Sequence, residues 1–319
     1  MRTAIQGSVA GLCAMAWCLL SGCANPPPPA PPVPQSAPLA GQGESLRRQG
    51  DRLMVRGDLA RAGEEYDAAR RMAESLDDTK GLIGALNDVG RVALRRGDVS
   101  QAISSHERAV TLGQQLGEPD LLIDSLTALA TAEHQAGSLH EAERGYAEAL
   151  ALAQQRDDRS AEATLRNNLG LVRQAQGEVE QAAQLFRQAM ALNQEMGHLA
   201  SEASNHVNLG MIAEARHDYD AAEREYERAL ELDKTVEQRM DIAADLLRLG
   251  RIADRRGVPD RGLIYSERAY RSYLAQGAFE QARSALSQAV ACAKKVERAG
   301  DIARLEMELS RLTSLHPVR

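Results

Sequence analysis

The organisation of the chain is clearest in residues 157–196, which read DDRSAEATLRNNLGLVRQAQGEVEQAAQLFRQAMALNQEM. Leu165, Leu169 and Val172 recur at i, i+4 and i+7, a spacing that gives a helix one apolar face. Gly177 then interrupts the helical period. A second apolar face follows, made of Ala182, Leu185, Phe186, Ala189 and Met190. We therefore predict two helices joined by a glycine turn, and neither helix can bury its apolar face without neighbours.

The same two-helix unit recurs with a fixed period of 40 residues. A small residue recurs in the first helix at Gly50, Gly90, Ala130, Gly170, Gly210 and Gly250. The turn recurs at Gly57, Gly97, Gly137, Gly177 and Gly257, with His217 as the one departure. An aromatic residue or histidine recurs in the second helix at Tyr66, His106, Tyr146, Phe186 and Tyr226, and Ser266 takes its place in the last copy. Small residues in phase let two helices approach closely and an aromatic ring fills the space between hairpins, so the pattern predicts a helical solenoid.

The order Leu169-Gly170, Ala182, Phe186 and Ala189 resembles the tetratricopeptide repeat, whose motif has Leu-Gly, Ala, an aromatic and Ala at these offsets. The resemblance covers roughly residues 42–275 in six copies. It implies an all-α fold, a right-handed α-solenoid of six helical hairpins. The period of 40 exceeds the usual period of about 34, which implies that each helix is longer by about a turn. The longer repeats are similar to those of the animal polarity adaptor named for Leu-Gly-Asn, whose Asn-Leu-Gly recurs here at residues 168–170 and 208–210.

The chain divides into four segments by composition and pattern. We predict a targeting segment at residues 1–22, a tether at 23–43, six repeats at 44–278 and a degenerate seventh hairpin at 279–319. The motif fades after residue 277, but two helical apolar stripes continue. A solenoid must cover its last apolar face, so we interpret residues 279–319 as a C-terminal cap. The composition, 44% hydrophobic but only 3% aromatic, suits a thin layer of helices better than a thick core.

The first 22 residues resemble a bacterial lipoprotein signal peptide. Arg2 precedes an apolar run, and the run ends in Leu-Ser-Gly before Cys23. This ending resembles the lipobox, which implies that Cys23 is lipidated and becomes the new N-terminus. Ala24 after the cysteine, in place of Asp, favours the outer membrane, with the protein facing the periplasm. An ordinary secretory signal or a transmembrane anchor is the alternative, although the run is short and interrupted by glycine for a membrane span.

Residues 24–43 are rich in proline and predict an extended tether without packed structure. A ligand for a proline-reading domain is the alternative to a plain spacer. Removal of the leader and lipidation of Cys23 would leave Cys292 as the last thiol, so no intramolecular disulfide is expected. We predict that Cys292 is a small buried apolar side chain.

The sequence offers no pattern typical of catalysis. Asp77-Asp78 and Asp157-Asp158 fall at equivalent helix starts in different repeats, so helix capping explains both acidic pairs. The seven histidines form no metal-ligand spacing, and no nucleophile or phosphate-loop motif is present in the sequence. The net charge of −7, with no basic block, argues against nucleic acid as a partner. We therefore predict no catalytic residue, no metal and no cofactor.

The resemblance implies that the first helix of each hairpin lines a concave groove for a protein or peptide partner. The candidate groove residues are Asn87, Arg91, Thr131, Asn167, Leu171, Val207, Asn208, Met211 and Arg251. We expect Leu171 and Met211 to stand side by side on the inner wall. Arg91 and Arg251, toward opposite ends, would favour a ligand with acidic residues on both sides of an apolar middle. The alternative is that the apolar candidates pack against adjacent helices.

These features predict a membrane-anchored adaptor or scaffold that binds a protein or peptide segment in its groove and assists assembly or positioning of an envelope complex. One alternative is a structural subunit of such a complex that uses its convex face or its ends. Another is an accessory that recruits a cell-wall enzyme. The sequence leaves the oligomeric state and the identity of the partner open.

Overall fold

The computed structural model describes residues 36–315, with side chains from residue 41 onward. The targeting segment, the lipidation candidate Cys23 and most of the tether lie outside these residues. Within the described range the chain forms fourteen α-helices and no β-strand. They are α1 (Ser36–Val55), α2 (Leu59–Ser75), α3 (Thr79–Arg96), α4 (Val99–Leu116), α5 (Pro119–Ala136), α6 (Leu139–Gln155), α7 (Arg159–Ala175), α8 (Val179–Met196), α9 (Leu199–Ala215), α10 (Tyr219–Thr235), α11 (Arg239–Arg255), α12 (Pro259–Ala275), α13 (Phe279–Lys295) and α14 (Ala299–Leu315).

The helices pair in chain order into seven hairpins, from hairpin 1 (α1 and α2) to hairpin 7 (α13 and α14). Each helix packs against the helices that precede and follow it. Odd-numbered helices also contact one another, in the pairs α1–α3, α3–α5, α5–α7 and α11–α13. We call the surface formed by the odd-numbered helices the inner face. The prediction of an all-α solenoid built from consecutive hairpins is confirmed.

Every connection from α1 to α14 contains one residue in the left-handed backbone region. Eight of these thirteen positions hold glycine, which adopts that region without steric cost. The others are Asp77, Asp157, His217, Glu237 and Glu297. His217 has φ of 61°, so the one departure from the glycine pattern keeps the backbone geometry of the turn.

Aspartates cap five of the helices, and the caps correct one detail of the sequence interpretation. Asp78 accepts a hydrogen bond from the backbone N–H of Gly81 (2.9 Å), and Asp158 accepts one from that of Ala161 (3.0 Å). The preceding residues, Asp77 and Asp157, do not cap. They occupy the left-handed connection instead, with φ of 53° and 56°. Each acidic pair therefore serves the junction between hairpins, which agrees with a structural role.

In α1, α3, α7 and α9 the recurring glycine lies under the ring of its own hairpin. A Cβ atom added to Gly170 would lie 2.5 Å from the ring of Phe186, and one added to Gly210 would lie 2.6 Å from that of Tyr226. Such a distance is shorter than any tolerated contact, so these positions must lack a side chain. The ring of Tyr66 also joins a buried cluster with Val89 of the next hairpin. The ring therefore fixes the close approach within a hairpin and fills the space to the next one.

The two ends of the solenoid differ from the rest. Helix α1 begins at Ser36, so residues 36–43, which we assigned to the extended tether, are helical. Pro38 is compatible with this because the first N–H groups of a helix have no acceptor in the helix. At the other end α13 and α14 form a seventh hairpin, in which Leu305 and Leu312 are buried. Among residues 36–315 no helix combines the length and hydrophobicity needed to span a membrane.

Candidate functional site

Six residues spaced by 40 form a row along the inner face, which we call the inner row. Its members are Asp51, Arg91, Thr131, Leu171, Met211 and Arg251. The first two meet directly, because Nη2 of Arg91 donates a hydrogen bond to Oδ1 of Asp51 at 2.7 Å. This contact places equivalent residues of consecutive hairpins next to each other. Five of the nine predicted groove residues therefore lie in one row.

Arg91, at the N-terminal end of the row, is engaged within the protein. Besides Asp51, it contacts Oδ1 of Asp88 at 2.8 Å and lies over the ring of Tyr66. Asp88 also accepts a hydrogen bond from Nε of Arg47 at 2.5 Å. Burial raises the pKa of Asp88, against the opposing effect of the two arginines. Two carboxylates thus compensate the charge of Arg91, so this end does not offer the free cation that the sequence predicted.

Asn87 joins α3 to its neighbours. Its Nδ2 donates to Oγ of Ser125 at 2.9 Å, and its Oδ1 lies 3.1 Å from Nδ1 of His106. Burial lowers the pKa of His106 to about 4, so this histidine is neutral at neutral pH. Asn87 is half-buried, and its amide serves the packing between hairpins.

The predicted residues Asn167 and Asn208 come together in the middle of the inner face. Oδ1 of Asn167 accepts hydrogen bonds from Nδ2 of Asn208 at 2.8 Å and from Nδ2 of Asn205 at 3.0 Å. Asn205 in turn accepts one from Asn193 at 2.8 Å. These amides link α7, α8 and α9. The carbonyl oxygen of Asn167 is therefore occupied by the protein.

Three further candidates are half-buried. The hydroxyl oxygen of Thr131 lies 2.8 Å from the hydroxyl oxygen of Tyr146. Leu171 packs against a buried cluster that includes Phe186 and Ile212. Val207 packs against buried residues of hairpins 5 and 6. For Leu171 and Val207 the packing alternative therefore describes most of what the side chain does.

The C-terminal end of the row is open. A cavity of about 480 Å³ lies between α7, α9 and α11. Its lining includes Gln174, Met211, Glu214, Arg248, Arg251 and Arg255, and we call it the arginine pocket. Met211 is 42% exposed there, and Arg251 and Arg255 are exposed as well. Arg248 was not among the predicted groove residues, although it lies 40 residues after the candidate Asn208 and the repeat period would have found it.

A larger cavity of about 590 Å³ lies near the N-terminal end, between α1, α2, α3 and α5. Its apolar lining includes Met72, Leu76 and Leu121. Lys80 and Glu118, which also line it, form an ion pair at 2.6 Å. None of the predicted groove residues lines this cavity, and it does not belong to the inner row.

Within residues 36–315 no group of histidine, cysteine and acidic side chains is arranged to hold a metal ion. Cys292 is buried, as predicted, and burial raises the pKa of its thiol. A buried pair of carboxyl groups, Asp233 and Asp245, lies between α10 and α11. The sequence interpretation missed this pair.

Comparisons with known proteins support the repeats and the fold. Residues 121–195 and residues 203–236 match family models that are each described as a tetratricopeptide repeat. A search of curated proteins finds no match. The chain is therefore a helical repeat protein that contains tetratricopeptide repeats in residues 121–195 and 203–236.

Solved structures show the same architecture at low sequence identity. BtubC from P. vanneervenii is 23% identical, with 73% of this chain and 92% of that chain covered and a TM-score of 0.58. A signal transduction ATPase with a tetratricopeptide repeat sensor from Pyrococcus horikoshii is 14% identical, with 85% and 41% covered and a TM-score of 0.69. A Rap protein complexed with Competence and Sporulation Factor is 15% identical, with 84% and 74% covered and a TM-score of 0.62. At these identities the similarity establishes the fold alone.

Proposed function

We propose that this protein is a lipid-anchored adaptor that binds a segment of a partner protein on its inner face and helps to assemble or position a complex of the bacterial envelope. Proteins with tetratricopeptide repeats are typically scaffolds for protein interactions. The observation that carries the proposal is the arginine pocket, an open cavity where the apolar side chain of Met211 faces solvent. Exposed apolar groups in a concave polar surface are typical of interaction sites. The Rap protein complex supports the proposal by analogy, since a protein of the same fold holds a ligand.

A photo-crosslinking amino acid at position 211 tests the binding site in the native envelope. We expect a discrete crosslinked product from position 211. The matched control is position 187, where exposed Arg187 lies on the even-numbered helix α8. A product from position 187 with none from position 211 would instead favour a structural subunit that uses its outer surface.

The membrane anchor in this proposal rests on the sequence around Cys23. Several acyl chains would anchor the protein firmly, because each buried methylene contributes about 0.8 kcal/mol. We expect Cys23→Ala to accumulate as uncleaved precursor and to take up no labelled fatty acid. Cys292→Ala is the control, because that thiol is buried in α13. Normal processing and membrane fractionation of Cys23→Ala would refute the anchor without affecting the binding site.

A further inference from the structure

Positive charge on the middle and C-terminal inner face is concentrated on one helix. Arg248, Arg251 and Arg255 follow one another on α11 at spacings of three and four, so they share one face of the helix. The equivalent residues of α9 are Asn208, Met211 and Ala215, and those of α7 are Asn168, Leu171 and Ala175. The two preceding inner helices are therefore neutral at these positions, whereas hairpin 6 places three arginines there. On the following inner helix, α13, the one charged equivalent is Lys295, which forms an ion pair with Asp254.

The acidic groups of the pocket compensate only part of this charge. Arg248 donates to Oδ1 of buried Asp245 at 2.8 Å. Arg255 lies 3.5 Å from Oε1 of Glu214, and Glu214 also accepts a hydrogen bond from the hydroxyl of Tyr226. Three guanidinium groups thus face two carboxylates. Arg251 forms no ion pair within residues 36–315 and is exposed.

The other end of the inner row shows how an arginine is neutralised when the fold itself uses it. Arg91 is equivalent to Arg251, and its neighbour in the preceding hairpin is Asp51, at 2.7 Å. The corresponding neighbour of Arg251 is Met211. An apolar, exposed residue thus stands at the place where the fold elsewhere supplies a carboxylate. A ligand can therefore supply the carboxylate that the fold does not.

We propose that the arginine pocket binds an acidic segment of a partner protein, with a carboxylate on Arg251 and an adjacent apolar side chain against Met211. This rests on the proposed function and specifies its ligand. A guanidinium group can bind a carboxylate through two parallel hydrogen bonds, which gives geometric specificity as well as attraction. The acidic residues of the bound segment lie beside its apolar residue, over the arginines of α11. No acidic residue is needed near Arg91, because Asp51 and Asp88 already compensate its charge.

The test uses the full chain and two fluorescent peptides. One peptide alternates pairs of glutamate with single leucines, and the other has glutamine in place of every glutamate. We expect fluorescence anisotropy to show affinity at least about tenfold higher for the glutamate peptide, with a strong decrease as salt is raised. Equal affinity for the two peptides would overturn the proposal.

Variants locate the site. Arg251→Glu should weaken binding of the glutamate peptide about tenfold or more, whereas Arg187→Glu makes the same charge change on the outer surface and should have little effect. Met211→Asp should weaken it as well. Circular dichroism checks that each variant keeps its helix content. An equal loss in Arg251→Glu and Arg187→Glu would mean that net charge alone attracts the peptide, which would refute the pocket.

Charge reversal in the peptide provides a second test of the same site. A peptide with lysine in place of glutamate should bind Arg251→Glu better than it binds the unchanged protein. Vesicles with anionic headgroups are a further probe, and binding to them that depends on Arg251 but excludes the peptide would assign the pocket to lipid and overturn the proposal. A crosslink at position 211 without a preference for glutamate would leave the proposed function standing and refute only the acidic ligand.

Discussion

Two neighbouring interfaces of the solenoid use the same two positions with different chemistry. Between hairpins 4 and 5, Nδ2 of Asn193 donates to Oδ1 of Asn205 at 2.8 Å. Between hairpins 5 and 6, the equivalent residues, 40 positions later, are Asp233 and Asp245. All four side chains are buried, and Asp245 is completely inaccessible to solvent. We call the first the amide interface and the second the acid interface.

The two interfaces differ in whether their hydrogen bond requires a bound proton. Two amides can form a donor–acceptor pair at any pH, whereas two carboxylates have no donor until one of them is protonated. Burial raises the pKa of Asp233, and it raises the pKa of Asp245 to about 7 in spite of the opposing charge of Arg248. Because the pKa in the folded state lies above that in the unfolded state, the pair contributes most stability in acid. That contribution decreases as the pH rises from about 4 through 7.

Placing a carboxylate in the amide interface should have the largest effect. In Asn205→Asp the donor to Asn167 is lost and a charge is buried among amides. We expect a loss of about 3 kcal/mol in the free energy of unfolding at about pH 8, and a smaller loss at about pH 5. Urea unfolding followed by circular dichroism measures both values.

Ser204→Asp is the control for this change, because Ser204 is an exposed neighbour on the same helix. It should cost little at either pH. A loss in Asn205→Asp that does not depend on pH would contradict the role assigned to the proton.

Removing a carboxylate from the acid interface should stabilise the protein. Asp245→Asn supplies a permanent donor to Asp233 and leaves one negative charge near Arg248. We expect a gain of about 2 kcal/mol at about pH 8 that shrinks toward about pH 5, so the stability profile becomes flatter. Asp241→Asn removes an exposed charge from the first turn of the same helix and should change the profile much less, because burial rather than the charge of Asp241 is the main cause of the raised pKa of Asp233. An unchanged slope in Asp245→Asn would show that the pair does not set the pH dependence.

The connections inside the two interfaces should give the smallest effect. Gly197 lies in the connection inside the amide interface with φ of 71°, and Glu237 lies in the connection inside the acid interface with φ of 57°. Glutamate is strained in this region and glycine is not. Glycine loses more entropy on folding, but the relief of strain is larger, so Glu237→Gly should stabilise the protein by about 0.5 kcal/mol at every pH. Thermal unfolding at two pH values measures it. The reciprocal change, Gly197→Glu, should destabilise the protein, and a gain there would refute the explanation.

Much of the fold could be predicted from the sequence because the fold depends on local rules repeated in phase. Gly170 and Phe186 already show where a close approach must occur, and Asp158 shows where a helix starts. Which inner residues are free depends instead on the neighbour 40 positions away. Leu171 and Met211 occupy equivalent positions, yet Leu171 packs against the buried cluster that includes Phe186, while Met211 lines a cavity with the arginines of α11.

The two polar interfaces were missed for a similar reason. A buried Asp245 looks like any other helical aspartate until the position of Asp233 is known. Their signal in the sequence was a polar residue, Asn205 or Asp245, at a position of the repeat that holds Ala85, Leu165 and Ala285 in other hairpins. A search for polar residues at apolar phases would have found both pairs.

The helices from α2 onward begin every 20 residues, from Leu59 to Ala299. Odd-numbered helices therefore always lie on the inner face, and even-numbered helices always lie on the outer surface. Exchange between misaligned copies of the coding sequence that adds or removes 40 residues lengthens or shortens the protein by one hairpin and leaves every inner residue inside. An exchange of 20 residues would keep each turn in place, but it would convert odd helices into even ones and move the arginines of α11 to the outer surface. The length of such a protein can change in the course of evolution only in steps of two helices if its binding face is to survive.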